Sequence, residues 1–177
     1  MDHTSSMLQQ TAQDRSDGAL ADRPLSEACA QLASLLEGET DLIANAANTS
    51  AFLNTVLPDI NWVGFYFLRG EELVLGPFQG QSACVRIPAG RGVCGTSVAT
   101  GAVQRVDDVH AFPGHIACDE RSRSELVVPI RRAGAVIGVL DIDSPRPARF
   151  TASDQVYVEA LMAVFERHLV WEGAAHA

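Results

Sequence analysis

The chain carries three cysteines in its central part that are far apart and form no CxxC pair. They are Cys84, Cys94 and Cys118, and each lies among small, polar or glycine residues. Metal sites and dithiol redox motifs usually contain close pairs of cysteines. Separated thiols that meet at one pocket suit another reaction, in which one thiol attacks and is oxidised and a second resolves it as a disulfide.

Carboxylates and aromatic rings form a second candidate group. Side chains alternate along a strand, which places Trp62 and Tyr66 on one face of the first predicted strand and aligns Asp141 with Asp143 on a later one. A hairpin would set Glu125 opposite Asp143. Crowded carboxylates repel one another, so at least one should hold a proton near neutral pH and could donate it to a substrate oxygen. The alternative is that these acids are solvated residues at strand ends.

The glycine-rich segment of residues 90–95 offers the opposite polarity. Backbone N–H groups of Gly92, Val93 and Cys94, at the start of a short helix, suit a carboxylate. The acids on the strands suit an ammonium group, and the rings form an apolar wall. Together the two halves match the charged ends of a free amino acid, although the segment alone would equally fit a plain tight turn.

Two histidines, His110 and His115, precede Cys118 in a long polar segment that spans residues 107–123. A segment of that length in a compact domain is more often functional than idle. The Cys/His spacing matches no familiar zinc pattern, so we expect no metal site.

Helices at both ends and hairpin-linked strands between them predict an α+β fold with an antiparallel sheet. An amphipathic stripe through Leu32 predicts a first helix from Leu25, with Cys29 and Leu35 on the apolar side. We expect helices over residues 40–56, 96–100 and 153–171, the last capped by Thr151 or Ser153. The predicted strands cover residues 61–68, 72–75, 84–87, 103–106, 125–130 and 136–142. A three-residue loop of residues 133–135 would give the register that pairs Glu125 with Asp143.

Composition narrows the classes of partner. The 177 residues are 47% hydrophobic and carry a net charge of −9, which fits one domain and argues against nucleic acid and anionic membranes. No apolar run approaches the roughly 18 residues that span a bilayer. Residues 1–24 are polar and lack the apolar stretch of a signal peptide. We therefore expect a mobile tail over residues 1–24, a single domain over 25–177 and a cytoplasmic location.

Several ordered motifs together resemble one family, the free methionine-(R)-sulfoxide reductases, which are small enzymes built on a GAF domain. The resemblance runs from about residue 25 to the C-terminus and includes all three central cysteines. It rests on the segments NWVGFY at 61–66, LGPFQG at 75–80, AC at 83–84, IP at 87–88, GRGVCG at 90–95, HIAC at 115–118, SRSELVVP at 122–129 and GVLDIDS at 138–144.

The resemblance implies a sheet of about six strands, with the N- and C-terminal helices on one face and loops over a ligand pocket on the other. It implies Cys118 as the catalytic cysteine, Cys84 as the resolving one that forms a disulfide with it, and Cys94 as a further or alternative resolving thiol. It also implies a set of pocket residues. These are the aromatic Trp62 and Tyr66, the acids Glu125, Asp141 and Asp143, and the loop residues Gly92, Val93 and Cys94.

The implied activity is reduction of free methionine-(R)-sulfoxide without a bound cofactor. Electrons would come from NADPH through thioredoxin reductase and thioredoxin, Glu125 or Asp143 would protonate the sulfoxide oxygen, and a homodimer is expected. The rival interpretations are a GAF-type sensor of a small ligand and a thiol redox sensor without turnover.

Overall fold

Six antiparallel strands form one sheet, in the order β3-β2-β1-β6-β5-β4. The computed structural model describes residues 23–114 and 119–169. The strands are β1 Trp62–Arg69, β2 Glu72–Gly80, β3 Arg86–Pro88, β4 Gln104–Val106, β5 Ser124–Arg132 and β6 Ala135–Ser144. The helices are α1 Leu25–Leu36, α2 Leu42–Val56, α3 Gly92–Thr100 and α4 Ala152–Arg167, with a 3₁₀ turn at Val109–Ala111. The α+β prediction with an antiparallel sheet is confirmed. The predicted tail over residues 1–24 lies outside the described residues, except for Arg23 and Pro24.

Helices α1 and α2 lie close to their predicted bounds, whereas α4 ends at Arg167 and not at residue 171. Asp41 caps α2 by accepting from the Ala44 N–H, and Thr151 caps α4 in a reciprocal capping box with Asp154. The stripe on α1 buries Leu32, but Leu35 is 45% exposed, contrary to the prediction. The i, i+3, i+4 and i+7 spacing places a side chain only approximately, and the face of α1 that packs on α4 and α2 leaves Leu35 exposed.

Strand β2 and helix α3 exceed their predicted bounds the most, and β5 and β6 are each three residues longer than predicted. Strand β2 was predicted to end at 75 but continues to Gly80, because Phe78 pairs across to Gly64 on β1. Gly64 permits this approach, since a Cβ there would lie 2.3 Å from the Phe78 Cβ. Helix α3 begins at Gly92 rather than at residue 96. The glycine-rich segment is therefore mostly the first turn of a helix, which Gly92 enters with a positive φ of 62°.

The β5–β6 hairpin keeps the predicted register although the predicted loop is wrong. Ala133 and Gly134 form a two-residue loop, both with positive φ, instead of a three-residue one. A register shift follows between Ile130 and Arg131, and it adds one residue to β6. The shift compensates for the shorter loop, so Glu125 does face Asp143.

The two faces of the sheet carry different layers. One face packs against α1, α2 and α4 around Phe65, Leu140 and Phe165, with the Phe65 and Phe165 ring centroids 4.9 Å apart. The other face, which we call the pocket face, carries a smaller cluster with Trp62 and Tyr66 under α3 and the β2–β3 connection. None of the helices in the described part of the chain is long and apolar enough to cross a membrane.

Candidate active site

A pocket opens on the pocket face between strands β1, β5 and β6 and helix α3. It is lined by Trp62, Tyr66, Ser82, Ala83, Ile87, Gly92, Val93, Cys94, Asp119, Ser122, Glu125, Asp141 and Asp143. The strand pattern placed the aromatic and acidic residues on this face, and the fold brings them together with the start of α3. Every predicted pocket residue within the described part of the chain lies here.

Three carboxyl groups form the floor of the pocket. Glu125 and Asp141 are buried, Asp143 is half-buried, and cross-strand pairing joins Glu125 to Asp143. Burial raises the pKa of Asp141 to about 6. Burial, reinforced by the charge of Asp141, also raises the pKa values of Glu125 and Asp143 well above their ordinary range. No salt bridge among the described residues involves these three acids.

Cys94 sits against the acids with its thiol protonated. The side chain is buried in the first turn of α3, and Sγ donates to Glu125 Oε1 at 3.7 Å. Burial and the charges of Asp141 and Glu125 raise the pKa of the Cys94 thiol well above its usual value. A thiol in this state is a poor nucleophile at neutral pH, because the thiolate is the reactive form.

Aromatic side chains make the apolar wall. The Trp62 ring stacks on Phe78 and Tyr66, with centroid distances of 5.2 and 5.9 Å. The Trp62 Nε1–H donates to the Gln81 carbonyl at 3.0 Å, which fixes the orientation of the indole. Burial raises the pKa of Tyr66, so its phenol stays neutral and donates to the Cys84 carbonyl at 2.9 Å.

The start of α3 supplies backbone donors opposite the acids. Gly92 and Val93 line the pocket, and the N-terminal residue Arg91 makes no side-chain capping bond to the first turn. Open N–H groups at a helix N-terminus favour an anion such as a carboxylate. The pocket thus presents proton-bearing acids on its floor and anion-binding donors on one side.

The cysteines are distributed unequally around this pocket. Cys94 lines it, whereas the half-buried Cys84 packs against the pocket-face cluster from the β2–β3 connection. Cys118 lies outside the described residues, as does His115, while His110 is exposed on the 3₁₀ turn. Cys29 packs half-buried against the helix-side core, away from the pocket, rather than fully buried as an apolar residue of α1.

Sequence reasoning gave no role to two polar residues of the pocket. Asp119 and Ser122 line it from the turn that precedes β5. Hydrogen bonds with Arg121 lower the pKa of Asp119 to about 2, so this carboxylate stays ionised at a pH at which the acids of the floor, with their raised pKa values, still hold protons. The irregular segment of residues 107–123 carries no periodicity. Its length, its histidines with Cys118 and the motifs at 115–118 and 122–129 pointed to it, but none of them gave Asp119 or Ser122 a role.

Within the described residues, the atoms of Cys94, Glu125 and Asp141 lie within 4.8 Å of one another, close enough to surround a small cation. They are the same groups that line the floor of the pocket. An ammonium group of a ligand would meet the same carboxylates.

Comparisons with known proteins agree with this geometry. A model of the GAF domain family matches residues 22–169. The free methionine-R-sulfoxide reductase of Escherichia coli K12 is 57% identical over 135 residues, which are 76% of this chain and 82% of that protein.

Two solved structures are similar over most of their length. The protein fRMsr of Staphylococcus aureus, in complex with its substrate, superposes with a TM-score of 0.81 at 49% identity and covers 86% of this chain and 99% of its own. The free methionine-R-sulfoxide reductase of Neisseria meningitidis, also with its substrate, gives a TM-score of 0.79 at 45% identity, with 85% and 95% covered.

The six-stranded sheet, its helical layer and the pocket on its opposite face define a GAF-domain protein. Within that class, the chain belongs to the family of free methionine-R-sulfoxide reductases.

Proposed function

We propose that this protein reduces free L-methionine-(R)-S-oxide to methionine. One observation carries the proposal: Glu125, Asp141 and Asp143 are gathered in one pocket with the open start of α3, and no cation of the described residues pairs with them. Such a pocket suits a small zwitterion with a neutral, proton-accepting group between its ends. The substrate complexes of the Staphylococcus and Neisseria relatives support the same ligand, and their names support the R configuration.

The substrate is bound at both charged ends. Its ammonium meets carboxylates of the floor, its carboxylate meets the N–H groups of Gly92, Val93 and Cys94, and its methyl group packs on Trp62. A peptide-bound methionine sulfoxide lacks both charges and carries chain on both sides. Binding it would leave the acids buried and unpaired, which is why the free amino acid is preferred.

The chemistry transfers one oxygen atom from sulfur to sulfur. The Cys118 thiolate attacks the sulfoxide sulfur while a protonated carboxyl, Asp143 or Glu125, donates to the sulfoxide oxygen. The sulfur–oxygen bond of the substrate breaks as its hydroxyl passes to the Cys118 sulfur, and the transient sulfur–sulfur bond breaks with its electron pair going to methionine. Methionine leaves reduced by two electrons, and Cys118 becomes a sulfenic acid. The raised pKa values of Glu125 and Asp143 support this step, because they keep a proton available near neutral pH.

Cys84 then resolves the sulfenic acid. Its sulfur attacks the Cys118 sulfur, water leaves, and a disulfide remains that thioredoxin reduces with electrons from NADPH through thioredoxin reductase. We assign resolution to Cys84 rather than to Cys94, because the Cys94 thiol is buried against Glu125 and its pKa is raised. This cycle needs a reducing compartment, so we propose that the protein acts in the cytoplasm.

The test is a coupled assay with thioredoxin, thioredoxin reductase, NADPH and racemic free methionine sulfoxide. NADPH consumption should stop when roughly half of the racemate is gone, as expected of a stereospecific enzyme. A blocked methionine sulfoxide with neither charge should be consumed far more slowly. No consumption of the free amino acid would favour the alternative, a GAF-type sensor without turnover.

Cysteine variants separate the roles. Cys118→Ser should form no methionine in a single turnover, whereas Cys84→Ser should form about one methionine per enzyme and then recycle slowly with thioredoxin. Cys94→Ser should keep thioredoxin-driven turnover. If Cys84→Ser recycles normally and Cys94→Ser does not, the resolving thiol is Cys94.

A further inference from the structure

A hydrogen-bonded turn of residues 119–122 connects the pocket to the start of β1. The side-chain amide of Asn61 donates to Asp119 Oδ2 and to Ser122 Oγ, both at 3.1 Å. The Asn61 backbone N–H donates to the Asp143 carbonyl at 3.0 Å, and the Ser122 hydroxyl bonds to the Asp143 carboxyl. Asn61 therefore holds the turn and Asp143 together through three of its bonds.

Asp119 is the fixed charge of this network. Its carboxylate accepts from the Arg121 N–H at 2.9 Å, Nε at 3.1 Å and Nη2 at 2.7 Å, in addition to Asn61. The bidentate guanidinium pair and the backbone bond favour the ionised form. Asp119 is only 14% exposed in its side chain and lines the pocket, so its negative charge acts on the groups around it.

Titratable groups face Asp143 from every element around it. Asp141 lies on its own strand, Glu125 on β5, Tyr66 on β1, Cys94 on α3, and the ionised Asp119 on the turn. Burial and the charge of Asp141 raise the pKa of Asp143 most, the Ser122 hydroxyl lowers it by favouring the carboxylate, and the charge of Asp119 adds a smaller rise. Asp119 is the one neighbouring acid whose charge is fixed by a guanidinium, so it acts at every working pH.

We propose that Asn61 and Asp119 are positioning residues of this enzyme: Asn61 orients the Asp143 carboxyl for donation to the sulfoxide oxygen, and Asp119 fixes the turn that holds it and adds a negative charge beside it. The proposal rests on the proposed function in one respect, the use of Asp143 as the proton donor. The network itself rests on hydrogen bonds that join residues 58 and 61 positions apart in the chain. Asp119 and Asn61 exchange no proton during the reaction. Asp143 gives its proton to the sulfoxide oxygen and recovers one from water.

Asp119→Asn tests the charge while it keeps the shape. The amide oxygen can still accept from Asn61, but the negative charge is gone. The basic limb of the kcat profile should then move to lower pH, so that kcat falls about tenfold at alkaline pH for each unit of the move and recovers at acid pH. KM should change little, because Asp119 is engaged with Arg121 rather than with the substrate.

Asn61→Ala tests the orientation while it keeps the charge. Removing both side-chain donors should lower kcat at every pH without moving the basic limb. The matched control is Asp59→Asn, which removes an exposed ion pair with Arg146 two residues before Asn61 and away from the pocket. It should leave kcat, KM and the pH profile unchanged.

A second readout does not depend on turnover. The carboxyl carbon of Asp143, followed by NMR with labelled aspartate, should titrate at lower pH in Asp119→Asn than in the unaltered protein or in Asp59→Asn. A titration that stays in place, together with a kcat that falls equally at all pH values, would leave Asp119 a purely structural residue and overturn the inference. If the unaltered protein reduces no methionine sulfoxide, the proposed function fails instead, and the NMR titration still decides whether the network controls Asp143.

Discussion

Asp154 and Asp141 are both buried aspartates, but they belong to opposite sides of the same sheet. Asp154, on the helix side, is 1% exposed, and its Oδ2 accepts from the Thr151 N–H and hydroxyl and pairs with Arg149 Nη1 at 3.1 Å. Asp141, on the pocket side, is 7% exposed, and its side-chain hydrogen-bond partners are Glu125 and Cys94, neither of which is a cation. One oxygen of each aspartate, Oδ1, accepts no hydrogen bond, so the two acids differ in the paired cation alone. The first charge is neutralised within the fold, whereas the second has no cation among the described residues.

The difference separates a structural acid from a functional one. A buried charge that is paired within the protein serves the fold, and removing one partner leaves the other buried without a counter-charge. Burial destabilises the ionised form of a carboxyl that has no cation beside it, so such a group tends to keep its proton. It can give that proton to a ligand or, once ionised, bind a cationic group of the ligand. A substrate whose ammonium group pairs with the pocket acids would therefore stabilise the folded state when it binds.

The largest effect should come from breaking the paired acid. Asp154→Ala leaves the Arg149 guanidinium, 2% exposed, buried without its carboxylate and removes the capping box of α4. We expect a loss of about 3–5 kcal/mol in the free energy of unfolding, measured by urea denaturation. Glu72→Gln, which breaks the exposed pair with Arg86, should lose no more than about 1 kcal/mol. Equal losses in the two variants would remove the distinction.

The pocket acids should make the protein less stable as pH rises. The pKa of Asp141 is about 6 in the folded chain and near 3.8 in the unfolded one, so the folded state binds more protons between these values. The free energy of unfolding should therefore be highest near pH 4–5 and fall as pH rises through 6, by about 3 kcal/mol for Asp141 alone. Glu125 and Asp143 shift in the same direction and extend the fall to higher pH.

Urea denaturation at several pH values measures this slope. Asp119, whose pKa is lowered to about 2, stabilises the fold above pH 4 and loses that contribution as pH falls toward 2, which sets the acid side of the maximum. A stability that is flat between pH 5 and 8 would contradict unpaired acids in the pocket.

Neutralising Asp141 should raise the free energy of unfolding, whereas neutralising Asp154 should lower it. Asp141→Asn removes the charge that burial disfavours, so at pH 8 the free energy of unfolding should rise, by up to about 3 kcal/mol. The gain should vanish near pH 4, where Asp141 is protonated in the unaltered protein as well. Reductase activity should fall in the same variant. A variant that loses stability at pH 8 would show that Asp141 is held as an ion by groups other than those described.

The sequence predicts the pocket side well because its signal is local. Period-two alternation assigns Trp62, Tyr66, Asp141 and Asp143 to one face, and that face proves to be the pocket. The pairing of Glu125 with Asp143 is right although the loop between them is two residues and not three, because a register shift after Ile130 compensates. The hydrophobic pattern of both strands permits no other register without exposing apolar side chains.

Polar contacts outside the periodic pattern were not predictable in this way. Asn61 meets Asp119 and Ser122 across 58 and 61 residues, and Arg149 meets Asp154 through a buried pair that no periodicity marks. Polar residues in irregular segments form such pairs only once the sheet and helices have fixed their ends. The pattern could propose Thr151 as a cap, which is confirmed, but it could not show that the capping Asp154 also carries the buried charge.

The smallest expected effect comes from removing a tyrosine hydroxyl on either side of the sheet. Tyr66 on the pocket side donates to the Cys84 carbonyl at 2.9 Å, whereas Tyr157 on the helix side donates to the Arg23 carbonyl at 3.4 Å. Tyr66→Phe should lose about 1 kcal/mol in the free energy of unfolding, because the Cys84 carbonyl loses its donor, and Tyr157→Phe should lose less. Loosening the backbone of Cys84 should also slow thioredoxin-driven turnover while methionine formation in a single turnover persists. If both variants recycle at the rate of the unaltered protein, the Tyr66 hydroxyl serves stability alone, and the position of Cys84 is fixed by the packing of the β2–β3 connection.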